Sequence, residues 1–186
     1  MKKSKSIIQK PAFRIAFCSV TAAVEVVLLF IAGFSGVGTY ALPCFAGLIT
    51  IAVVIEYKCK WALGVYAVAA LLSFLLSGNK EAALMFTAFF GYYPILKNVL
   101  DRHINNIIVR WIVKFAVFNA AAVGSFYAAI YLLSIPASEF SLFGVYLPLV
   151  FLLAGNVFFL IYDIAVNVFV KFYVQKLRSA VFGRYI

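Results

Sequence analysis

Charge is scarce in this 186-residue chain: Asp, Glu, Lys and Arg together make up 12% of it, against about 25% in ordinary soluble domains. Acid is scarcer still, with 6 Asp and Glu against 16 Lys and Arg. There is one histidine, His103, and there are three widely spaced cysteines, Cys18, Cys44 and Cys59. Their spacing fits neither a metal site nor a disulfide framework. No H-E-x-x-H, G-x-S-x-G or Walker A sequence occurs. Each absence excludes a class. Metal-assisted hydrolysis and Ser-His-Asp chemistry have no residues to use, and the chain cannot hydrolyse ATP itself. It reads as a non-enzyme that calls for no metal and no cofactor.

What is present is apolar. Hydrophobic residues make up 66% of the chain and the mean hydropathy is +1.07. So much apolar surface cannot be hidden inside a soluble body of this size. The expected fold is an all-α membrane protein, a single bundle of six transmembrane helices. The spans fall at about 13–35, 40–55, 61–77, 82–96, 107–133 and 142–163, with a helical tail running to 178. The apolar run after the lysine-rich start has no cleavage site behind a short core, so it reads as a retained first span. A barrel is excluded because the runs are too long for its strands and do not alternate.

Loop charges orient the threading. With both termini cytoplasmic, the inner segments hold Lys2, Lys3, Lys5, Lys10, Arg14, Lys58, Lys60, Lys97, Arg102, Arg110, Lys114, Lys171, Lys176, Arg178 and Arg184. Of all the basic residues, Lys80 alone is left outside, beside Glu81 and with Glu139 further on. The net charge of +10 is therefore explained by the cytosolic, anionic face of a plasma membrane and its lipids rather than by nucleic acid. Trp61 and Trp111 fall at inner boundaries, where amphipathic aromatics belong.

Three polar side chains lie inside the spans. Glu25 sits roughly 18 Å from the inner boundary, Asn119 roughly 12 Å and Asn156 roughly 9 Å, at about 1.5 Å per helical residue. An intramembrane acid should face the bundle or a cavity. Glu25 is thus a substrate or proton contact, or else a protonated acid bonded to an asparagine or a carbonyl. The two asparagines read as glue between helices. Lys97, Asp101, Arg110, Lys114 and Asp163 form a layer at the cytoplasmic rim. That layer reads as snorkelling cations with paired acids. In span four, Phe89-Phe90-Gly91-Tyr92-Tyr93-Pro94 should bend or loosen the helix. On helix one, Ala12, Ala16, Ser19 and Ala23 make one small-residue stripe that allows another helix, of this chain or of a second protein, to approach closely.

Six spans, cytoplasmic ends, this length and that stripe resemble the substrate-binding S components of energy-coupling factor vitamin transporters. The Ala12–Ala16 pair with Ala23 beyond it is similar to the family's alanine motif, and the basic tail Lys176-Leu177-Arg178 looks like the family's. The resemblance implies capture of a small organic micronutrient from outside, with Glu25, Tyr127, Tyr131, Asn119 and Asn156 contacting it. It further implies that Ala12, Ala16, Ser19 and Ala23 dock on a transmembrane coupling subunit driven by two cytoplasmic ATPases. A non-transporting scaffold using the same stripe, or a solitary proton-coupled carrier using Glu25, are the alternatives.

Overall fold

The computed structural model describes residues 10–34, 38–131, 141–142, 145–146 and 148–182. Among these the chain is helical apart from short connections and one two-residue pairing. Helix α1 is Pro11–Ile31, started by a proline whose missing N–H is no loss in the first turn. Helix α2 is Gly38–Leu76, and α3 is Lys80–Met85, capped by the Asn79 side chain accepting from Ala82 N–H. A π-helical turn, Phe86–Phe90, carries α3 toward α4, Tyr93–His103. Helix α5 is Ile107–Tyr131, with the Asn106 side chain accepting from Ile108 N–H at 2.9 Å. The strands Ser141–Leu142 and Val145–Tyr146 pair antiparallel, with Ser141 opposite Tyr146. Helix α6, Pro148–Phe172, passes through a π turn, Tyr173–Leu177, into α7, Arg178–Phe182.

Four stretches are long and apolar enough to cross a membrane: Pro11–Ile31, Gly38–Leu76, Ile107–Tyr131 and Leu152–Ala180. The chain is therefore a multi-pass helical membrane protein. The second stretch, 39 residues long, would extend to about 58 Å if straight, nearly twice a hydrocarbon core. It is not straight. Lys58 takes φ 69° and ψ 171°, a conformation strained for any residue but glycine, and the two arms fold back on each other. Asn79, just beyond the second arm, donates to Thr39 Oγ1 in the first turn of the first at 2.8 Å. Ala46 of one arm and Ala69 and Ala70 of the other share a buried cluster with Val26 and Leu29 of α1.

The helical ends sort into two groups. At one end the start of α1 meets the Lys58 hinge, with the Arg14 guanidinium 5.7 Å from the Tyr57 ring centre and 5.1 Å from that of Trp61. The start of α7 joins them through Arg178 Nε, which donates to Glu56 Oε1 at 2.9 Å. The end of α4 joins through Cys59 Sγ and Asn98 Oδ1 at 3.6 Å. At the other end Ser77 Oγ donates to Leu29 O at 2.9 Å and Tyr40 Oη to Glu81 Oε1 at 2.6 Å. Among the described basic residues Lys80 alone belongs to this second end. Lys2, Lys3, Lys5, Glu139 and Arg184 lie outside the described residues, as do Leu132 and Leu133 at the end of the expected fifth span.

Two boundaries differ from expectation. The fourth helical stretch runs past the expected end at 96 to His103, so Lys97 and Asp101 are on a helix. The sixth begins at Pro148, not near Leu142, which is in the small strand pairing. Proline is favoured at a helix start, and the hydropathy of Leu142–Tyr146 alone does not distinguish strand from helix.

Candidate functional site

Helix α1 buries Cys18, Thr21, Ala22, Glu25, Val26 and Leu29, a stripe of three- and four-residue steps along one face. Glu25 is 0% exposed in the middle of that stripe. It faces the first arm of α2, where Thr50 Oγ1 donates to Glu25 Oε1 at 2.9 Å. The other carboxyl oxygen, Oε2, is buried with no hydrogen-bond partner. Among the described residues no cation pairs with Glu25. An ionisable group at such depth costs at least about 2.5 kcal/mol on insertion scales, so its placement opposite a hydroxyl is not incidental.

One turn before Thr50, Gly47 lets α2 come against the π turn and α6. A Cβ at Gly47 would lie 2.2 Å from Phe90 O and 2.6 Å from Tyr162 Oη. This close approach has a covalent origin. Pro94 lacks the N–H that Phe90 O would accept four residues on, and Tyr162 Oη donates to that carbonyl instead, at 3.1 Å. The π turn is closed by Gly91 N–H donating to Phe86 O at 2.8 Å, and Tyr66 Oη donates to Thr87 O at 2.7 Å. Gly91 and Pro94 thus loosen the helix as expected, and tyrosines of two other elements take up the carbonyls.

Toward the hinge end, α4, α5 and α6 meet in an ionic node. Asp163 Oδ1 accepts from Tyr93 Oη, from Lys97 Nζ, and from Lys114 Nζ at 3.2 Å. Lys114 also lies 3.4 Å from Asp101 Oδ1, which Arg110 Nε approaches at 3.5 Å. Asp163, Lys97 and Lys114 are 2%, 5% and 3% exposed. The expectation that these lysines snorkel outward is corrected: only the Asp101 and Arg110 edge reaches the surface. Tyr93, Lys97 and Asp101 recur every four residues, so one face of α4 delivers all three.

The remaining predicted contacts do not gather around Glu25. Asn119 and Asn156 pair with each other, each amide nitrogen donating to the other's oxygen, at 3.0 and 2.9 Å. Each also donates to the carbonyl four residues earlier in its own helix. They tie α5 to α6 as helix glue. Tyr127 and Tyr131 are 53% and 77% exposed, stacked on each other with ring centres 6.2 Å apart. Ala12, Ala16, Ser19 and Ala23 are all exposed, so no described helix of this chain covers the stripe. The α1 face that packs internally is the Glu25 face, because only it meets α2.

Sequence reasoning missed Thr50, Gly47 and Tyr162. Pro94 was the available signal for Tyr162, since an orphaned carbonyl in a buried helix needs a donor from elsewhere. The aromatics of span four are core residues: Phe89 packs edge-on against Phe118 and Phe159, at 5.0 and 5.7 Å. A separate apolar cleft of about 440 Å³ lies between the π turn and α5, lined by Ala88, Tyr92, Ala121 and Gly124 among others. It includes none of the predicted contact residues. Among the described residues no group of His, Cys, Asp or Glu is placed to hold a metal ion. Comparison with family models, with curated proteins and with solved structures finds no match to this chain.

Proposed function

We propose that this chain is the membrane-embedded, substrate-binding subunit of an energy-coupling-factor-type transporter, with six crossings and both ends in the cytosol. The two arms of α2 supply two crossings, and α3 with the π turn and α4 supplies another beside α1, α5 and α6. The gathering of described basic side chains at the hinge end supports that orientation. The subunit takes up a small, vitamin-like organic molecule from outside and docks on a transmembrane coupling subunit with two cytoplasmic ATPases.

The exposed stripe on α1 carries this reading. Small residues that no described helix of the same chain covers are what close approach by a second membrane protein requires. The test is co-purification of the full chain with candidate coupling subunits, from wild type and from Ala16→Leu and Ala23→Leu. The expected result is association that each bulky variant abolishes while the yield of folded chain stays unchanged. Association indifferent to both substitutions overturns the docking role.

The enclosure of Glu25 and the exposure of Tyr127 and Tyr131 favour a second reading, an accessory subunit that docks the same way and transports nothing. A thermal-shift screen against water-soluble vitamins and their precursors separates the two. A substrate-binding subunit gains stability with its ligand, and an accessory subunit gains none from any of them.

A further inference from the structure

We infer that Glu25 is a proton-binding site. The inference stands apart from the docking reading, since it needs only that the chain lies in a membrane.

The site follows from unmet valence. Glu25 is wholly enclosed, Thr50 serves Oε1, and Oε2 has nothing to accept from. An ionised carboxylate there would need a cation, and no Lys, Arg or His among the described residues pairs with it. A proton on Oε2 removes the charge and with it the need for a cation. The groups that titrate nearby are neutral ones: Tyr162 on α6 and Cys44 on α2, with Cys18 two turns back on α1.

The experiment is infrared spectroscopy of the full chain in lipid vesicles at neutral pH. Wild type is expected to show a protonated-carboxyl carbonyl band that Glu25→Gln lacks. Spectra of wild type and Glu25→Gln that match in the carboxyl region overturn the site.

Discussion

Among the described residues Glu25 and Asp163 are acids buried as whole residues, and they are accommodated in opposite ways. Asp163 collects two ammonium groups and a phenol on a single oxygen, at a junction of three helices. Glu25 has one hydroxyl partner, at a junction of two helices, and an oxygen left over. Burial removes water from both, so both must be neutralised. The first is neutralised by neighbours of opposite sign, which fixes α4, α5 and α6 against one another. The second has no such neighbours among the described residues, and neutrality must come from a mobile ligand, the proton. An acid held by fixed countercharges is a structural joint, whereas one held by a proton can change state. The contrast places rigidity at the hinge end and adjustability between α1 and α2.

The largest test of this comparison is Asp163→Ala. It strands Lys97 and Lys114 without their shared anion, and unfolding in detergent should show a loss of about 3–5 kcal/mol. Replacing Asp163 and Lys97 together by leucine and methionine should recover part of that loss, because only Lys114 then loses Asp163, and it keeps Asp101 at 3.4 Å. A single-variant loss no greater than that of an ordinary surface change would mean that water reaches the node, and the contrast with Glu25 would collapse. Next in size is Gly47→Ala, at the seam between the two regions. The added methyl meets the Phe90 carbonyl and the Tyr162 hydroxyl, and overpacking of this kind costs about 1–3 kcal/mol. No change there would mean that α2 can move away freely and that Tyr162 is not held near Thr50.

The extent to which this was legible in the sequence differs between the two acids. Every charged member of the Asp163 node stood out as a layer at the rim, because the inner segments collect the cations. Its depth did not stand out, since long side chains at a boundary can reach either outward or inward. Glu25 was conspicuous as an acid in an apolar run, yet Thr50 was not, because a lone threonine in such a run carries no signal of its partner. The helical stretches were largely visible from hydropathy. The faces were harder to read, because lipid and protein interior are equally apolar and membrane helices do not need a polar side. Hence the small-residue stripe was recognised while its exposure was not. The Lys58 hinge is the least legible feature: Glu56-Tyr57-Lys58-Cys59-Lys60 signals a boundary by charge, but no glycine or asparagine marks the positive φ.

Smaller effects sharpen the comparison. Asn119→Leu removes both bonds of the reciprocal amide pair, in a setting with neither charge nor proton exchange. The expected loss is about 0.6 kcal/mol and no more than about 1.7, the range for polar contacts between membrane helices. That value gives the scale for an uncharged buried contact, against which the two acids can be judged by the same unfolding measurement.

The smallest expected effect is the most informative. Glutamine has the shape of a protonated glutamate. In Glu25→Gln the amide oxygen accepts from Thr50 as Oε1 does, and the NH₂ takes the place of the protonated Oε2. If Glu25 is neutral in the folded chain, the substitution exchanges one uncharged group for another, and stability at neutral pH should change by no more than about 0.5 kcal/mol, the low end of the net worth of a single uncharged hydrogen bond. If Glu25 were instead ionised and matched by a cation, the same substitution would strand that cation. The loss would then approach the one expected for Asp163→Ala. Measuring both variants under one condition therefore decides whether the bundle holds two kinds of acid or one.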